Sequence, residues 1–389
     1  MKAILLLISV SLWVLAETIS FDSFKQKALE DANILKQAKL DKDIVEKEVD
    51  ISLSFSNPSM EVGISRYKNS DDKGLLVGLS QPVRTPWFGS DLKDLNSAKG
   101  EVAKASYLQA KAQFSKNLEM FYTSFVYQKE LESLLLMELK LAKRIEDIAK
   151  NRLQNGVGTK TAYLRASIES GAIENRLLFQ KQQTKEYYFK LLTYSSIDAV
   201  YNLEAKFIYP VSRALKSKTI LNPDLLKAQK EQKRLEFETK TLSNSIKTFD
   251  ISAGYEKEPE DKIISIGASV DLPIFGVNRE KEQLSRIKAN QNRIFLNQLE
   301  IKQNLQKTLL QSSLKTLTNQ HKGLQTQQIE QEKLLKLYEE GYKISKGSLL
   351  ELIEVKNTLL QTSKSLLDIK QEANLKQIEL NYIQGNYNE

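Results

Sequence analysis

Residue types able to do chemistry are sparse in this chain of 389 residues. It has one histidine, His321, and no cysteine. A single histidine with no serine or acid framing it argues against a nucleophilic triad. The absence of thiols removes disulfide frameworks and thiolate metal sites. His321 lies in the polar stretch Thr318–Lys322 and reads as a surface side chain rather than a ligand. Met60, Met120 and Met137 are scattered and form no soft-metal stripe. No glycine-rich phosphate loop occurs, and no carboxylate pair has a reason to be buried. The chain therefore reads as a non-enzyme without a cofactor. Glu351 and Glu354 stand at i and i+3 on one helix face, a spacing that a solvated helix face satisfies.

The elements that position these residues are unusual. Prolines fall only at 58, 82, 86, 210, 223, 259 and 273. Residues 87–209 and 274–389 contain none, and both stretches are rich in Leu, Lys, Glu, Gln and Ala, which favour helix. Leu118, Phe121 and Phe125 recur at helical spacing, as do Leu141, Ile145 and Ile148. A helix from Asp91 to Leu153 would be about 95 Å long at 1.5 Å per residue, far beyond the globular average of about 11–12 residues. Asn155-Gly156-Val157-Gly158 interrupts the first stretch, and Gly341 and Gly347 bracket a break in the second. Helical character resumes over Ala162–Lys190 and Leu349–Gln377. Each stretch is predicted to be a long antiparallel helical hairpin with a glycine-containing tip.

The segments before each hairpin alternate with period two. Met60, Val62 and Ile64 oppose Glu61, Gly63 and Ser65, and Leu75, Val77 and Leu79 oppose Leu76, Gly78 and Ser80. Phe249, Ile251, Ala253 and Tyr255 oppose Asp250, Ser252 and Gly254. Ile264, Ile266, Ala268, Val270 and Leu272 oppose Ser265, Gly267, Ser269 and Asp271. These predict two β-hairpins of strands about nine residues long. Leu79-Ser80-Gln81-Pro82 matches Val270-Asp271-Leu272-Pro273 at an offset of 191, and Trp87-Phe88-Gly89 and Phe275-Gly276 are expected to form the same turn into a helix. The chain is read as an internal duplication of helix, β-hairpin and long helical hairpin.

The N-terminus has one lysine before the apolar run Ile4–Leu15, and reads as a secretory signal cleaved near Ala16. The predicted organisation is 1–16 signal peptide, 17–56 N-terminal helical segment, 57–83 first β-hairpin and 84–192 first helical hairpin. A connector follows over 193–222, a helix over 223–247, the second β-hairpin over 248–273, and the second helical hairpin with the C-terminal segment over 274–389. The net charge of +8 raises nucleic acid as a partner. Lysines and glutamates are interspersed as on solvated coiled-coil faces, and no basic patch carries interleaved aromatics, so no nucleic acid is expected.

About nine residues is the length of a tilted membrane-spanning strand, and one apolar face opposite a Ser, Gly, Asp and Glu face suits a lipid-facing wall around a wet lumen. Four strands cannot close a barrel, and open edges are not tolerated in lipid, so several chains must contribute. Trp87 and Phe88, just past a strand end, read as interfacial aromatics or as ordinary packing. A covered soluble sheet is the alternative.

These residues resemble the TolC-type outer-membrane efflux proteins over nearly all of the mature chain. Asn57-Pro58, Leu79-Ser80-Gln81-Pro82, Glu340-Gly341-Tyr342 and Leu349-Leu350-Glu351-Leu352-Ile353-Glu354 look like that family's strand and tip motifs. The resemblance implies a mainly α fold with a small β part. It implies a homotrimer whose twelve-stranded β-barrel in outer-membrane lipid of a Gram-negative cell continues as a periplasmic α-helical barrel. The implied function is the exit duct of a tripartite pump for metal ions or drugs. The implied partners are a periplasmic adaptor protein and an inner-membrane pump such as an RND-type transporter. The Asn57-Pro58 and Ser80-Gln81-Pro82 motifs look most like the heavy-metal branch. Adaptor contact is implied for Gly156, Val157, Gly158, Thr159, Lys160, Gly341, Tyr342, Lys343, Ser345 and Gly347, and an aperture ring for Glu351 and Glu354. Such a ring would repel itself when narrow and favour cations. Lys343 and Lys346 would pair with it across subunits. The chain departs from many relatives in lacking an acylated cysteine, and a few extra residues lie between Gly341 and Glu351. A type I secretion exit and a poreless periplasmic coiled-coil adaptor are the other readings.

Overall fold

The structure is a computed structural model and describes residues 18–68, 71–211, 221–272, 274, 276–344 and 346–387. The expected signal peptide (1–16), Pro273, Phe275 and Ser345 lie outside the described residues, as does 212–220 of the connector. In chain order the elements are β1 (Thr18–Ile19), α1 (Phe21–Asp31), α2 (Asn33–Leu53), β2 (Ser59–Arg66), β3 (Lys73–Arg84), α3 (Pro86–Gln154) and α4 (Lys160–Ser195). After them come β4 (Asn202–Leu203), α5 (Pro223–Ser243), β5 (Thr248–Lys257), β6 (Lys262–Val270), α6 (Val277–Lys343) and α7 (Leu349–Ile383). The repeat is direct: α3 and α6 have 69 and 67 residues, and α4 and α7 have 36 and 35. No described helix is long and apolar enough to cross a membrane.

Three local readings need correction. The segment 17–56 is not wholly helical, because Thr18–Ile19 pairs in parallel with Asn202–Leu203. Two residues are too few for a period-two signal. Trp87-Phe88-Gly89 is not a turn but the first turn of α3, which opens on Pro86. Proline has no amide hydrogen to lose at that position, and the Gly89 amide bonds the Thr85 carbonyl at 2.9 Å. Gly341 likewise lies inside α6, which runs on to Lys343.

The chain divides into two units. One comprises residues 1–35, 114–216 and 309–381. Its core sets Phe21, Phe24 and Ala28 of α1 against Phe114, Leu118, Tyr122 and Val126 of α3 and Leu191 of α4. Phe21 stacks on Tyr122 at 4.1 Å between ring centroids. The Tyr122 hydroxyl donates to the Glu204 carbonyl at 2.7 Å, fixing the connector. Leu139 and Ala142 meet Ile173 and Leu177 within the first helical hairpin.

The other unit comprises residues 36–113, 217–308 and 382–389. It holds an antiparallel four-stranded sheet in the order β2-β3-β5-β6. Arg84, at the end of β3, donates to the carbonyls of Leu53 and Ser52 at 2.8 Å each. A cation there satisfies orphan carbonyls at the end of α2 and opposes its dipole. Asp91 joins α3 to α5 through Lys240 at 2.7 Å. That ammonium, ahead of the Asn244 amide, holds the Asp91 carboxyl below its usual range.

Candidate functional site

In the sheet, register puts like residues in rows. Met60, Leu79, Ala253 and Ile266 form one row across the four strands, and Val62, Val77, Tyr255 and Ile264 the next. On the other face, Glu61, Gly78, Gly254 and Ser265 form a row, as do Ser59, Ser80, Ser252 and Gly267. The apolar rows are bare: Ile264 is 79% exposed and Ile266 84%. Apart from Glu61, these two polar rows are built from glycine and serine. A Cβ at Gly254 would come within 2.7 Å of the Ser265 hydroxyl oxygen. The sheet's two outer strands, β2 and β6, are free edges.

Both glycine tips lie in the first unit. At the first tip Gly156 has φ +74°, and the amides of Val157 and Gly158 bond the Arg152 carbonyl at 3.0 and 2.9 Å. Left-handed backbone is the conformation glycine takes without steric cost. Gly158 is required for space, since a Cβ there would lie 2.8 Å from the Leu153 nitrogen. Thr159 caps α4, its side chain accepting from the Ala162 amide at 3.1 Å. Val157, Thr159 and Lys160 are exposed.

At the second tip the Lys346 amide bonds the Gly341 carbonyl at 2.9 Å. Ser348 opens α7 with a capping box: its hydroxyl accepts from the Leu350 amide at 3.1 Å, and Glu351 accepts from the Ser348 amide at 3.2 Å. Glu351 thus has a structural task as well as an exposed charge. Glu354, Lys343 and Lys346 are exposed. Tyr342 is buried, unlike its neighbours, and so is not presented at the surface of this tip.

What covers Tyr342 is Arg152, a residue sequence reasoning missed. Its guanidinium lies 4.3 Å from the Tyr342 ring centroid and donates to the Tyr342 carbonyl and, at 3.4 Å, to that of Val157. One side chain therefore clasps both tips. Burial pushes the Tyr342 phenol above its ordinary value, with the nearby Arg152 opposing. Around the clasp, Ile145 and Ala149 of α3, Ala166 of α4, Leu335 of α6 and Leu352 of α7 form one apolar cluster. Further ties join the two hairpins. Arg144 pairs with Glu339 at 3.1 Å, Tyr127 donates to Asp368 at 2.7 Å, and Lys356 pairs with Glu169. Lys356 is wholly buried, while Glu169 retains 25% of its side-chain exposure. His321 is not the open surface residue expected: it is partly buried, with its Nε2 enclosed. Among the described residues no cluster of His, Cys, Asp or Glu could hold a metal ion.

No family model matches the chain, and no curated protein matches it by sequence. Solved structures do match. The duplicated hairpins and two-edged sheet have the fold of solved outer-membrane channels. The outer-membrane channel OprN aligns with a TM-score of 0.80 at 13% identity, over 95% of this chain and 90% of its own. The outer-membrane protein VceC of Vibrio cholerae gives 0.78 at 13%, over 94% of this chain and 95% of its own. The CmeC outer-membrane channel of Campylobacter jejuni gives 0.76 at 16%, over 94% of this chain and 85% of its own.

Proposed function

We propose that this protein is the passive outer-membrane exit duct of a tripartite efflux system in a Gram-negative cell. The observation that carries the reading is the sheet: apolar rows on one face, small and polar rows on the other, and two unpaired edges. Three copies of four strands give a closed twelve-stranded barrel with lipid outside and water within.

The helices attached to the edges support the same assembly. Leu40, Ile44 and Ile51 leave an exposed apolar stripe on α2, which leads into β2. Leu284, Ile287, Ile294, Ile301 and Leu305 leave another on α6, which leads out of β6. Pairing β6 with β2 of the next copy sets these helices side by side and antiparallel, with stripes at coiled-coil spacing. The long helices then continue the barrel on the periplasmic side.

The tips face a periplasmic adaptor through Val157, Thr159, Lys160, Lys343 and Gly347, and an inner-membrane pump supplies the energy. Glu351 and Glu354 ring the aperture, with Lys343 and Lys346 of neighbouring copies as counter-charges. Opening parts the hairpins at the Arg152 clasp. The cargo is a small solute, metal ion or drug, selected by the pump. A susceptibility panel on a deletion strain, covering heavy metals, dyes, detergents and antibiotics, tests this. Sensitivity restored by the cloned gene is the expected result, and metals alone would place the chain in the heavy-metal branch. Unchanged tolerance to every class would refute small-solute efflux.

A further inference from the structure

A cavity of about 740 Å³ lies in the unit that holds the tips, between the connector, α3, α6 and α7. Three elements send lysines to it: Lys206 from the connector, Lys322 from α6 and Lys370 from α7. One carboxylate, Glu130 of α3, shares the lining. Among the described residues none of these lysines is ion-paired. Elsewhere in the unit lysines are neutralised, as Lys364 is by Asp368 at 2.9 Å and Lys129 by Glu132 at 3.3 Å. His321 also lines the cavity, and its Nε2 is enclosed with no hydrogen-bond partner.

The walls are fixed. The Tyr209 amide donates to Asn374 Oδ1 at 2.9 Å, Asn374 Nδ2 donates to the Tyr209 carbonyl at 2.8 Å, and Thr318 Oγ1 donates to the Val211 carbonyl at 2.8 Å. Phe207 and Ile208 add apolar surface, which lowers the local dielectric and strengthens any charge contact made there. Cations gathered from separate elements onto a rigid wall, in excess over acid, form a focus for negative charge.

We propose that this cavity binds a multivalent oxyanion, a small molecule carrying two or more carboxylate or phosphate groups. The charge of such a ligand offsets the three lysines, and its oxygens accept from the lysine ammoniums and from the His321 ring. Burial, and secondarily Lys370, hold His321 below the ordinary histidine value. A bound oxyanion reverses the second influence, so His321 takes up a proton more readily when the cavity is filled.

The chain has one histidine, so ring-labelled, untagged full-length protein in detergent gives a single imidazole signal. Citrate and pyrophosphate would be titrated against sodium chloride at matched ionic strength. The expected result is a saturable shift of that signal and a raised His321 pKa with citrate, pyrophosphate or both. Their ranking identifies the preferred oxyanion. Lys370→Gln and, separately, Lys206→Gln should each weaken the effect about tenfold, the loss of roughly one charge-assisted contact. Both lysines are exposed, so folding should survive. A signal that moves equally in chloride, or that ignores both substitutions, would overturn the site.

Discussion

Arg152 is where the two tips are tied together. A planar guanidinium can lie on the Tyr342 ring and still donate sideways to the carbonyls of Tyr342 and Val157, which lysine cannot reproduce. Contacts of this kind are worth about 1–2 kcal/mol, or roughly tenfold in the open population. Arg152→Ala should therefore raise open probability in planar bilayers about tenfold, with Arg152→Lys in between, and identical traces would remove the clasp. Lys356 and Glu169 make an asymmetric pair, because only the lysine is wholly buried. Glu169→Leu strands a buried ammonium and should cost about 3–5 kcal/mol. Lys356→Met should cost less, and the double variant should come close to wild type, all read by thermal unfolding. At this scale the sequence was partly legible. The Ser348–Glu351 capping box is local and has a known spacing. Arg152 and Tyr342 are 190 positions apart, and no periodicity links them.

The strands are legible because their two faces differ over the middle of the sheet: Ile264 and Ile266 alternate with Ser265 and Gly267. That pattern fixes which substitutions matter. Ile264→Arg places a charge on the apolar face and should cost about 2–4 kcal/mol at mid-bilayer depth, abolishing the heat-sensitive oligomer in outer-membrane fractions. Glu61→Lys, on the polar face, should leave that oligomer intact. Equal loss from both would mean the faces are misassigned. Helix ends are less legible than helices. Gly341 looks like a terminator, yet a glycine inside a helix costs only about 1 kcal/mol, and burial of Tyr342 in the tip cluster favours carrying α6 onward. Thr18–Ile19 pairs with a segment far along the chain, so its strand character is set by the partner.

For the whole molecule, the duplication and the bare stripes on α2 and α6 point to self-assembly. Ile301→Asp, at 61% exposure in the single chain, should shift the detergent-solubilised protein from trimer toward monomer by at least several-fold in sedimentation. An unaffected trimer would place the seam elsewhere. The most direct test of a passive duct is single-channel recording of the purified full chain in a planar bilayer. A passive duct should give stepwise conductance without nucleotide, cation-selective in the wild type and less so when Glu351→Gln and Glu354→Gln are combined, a change that keeps the α7 cap. A protein that inserts no conductance at any voltage and sediments as a soluble monomer would contradict it.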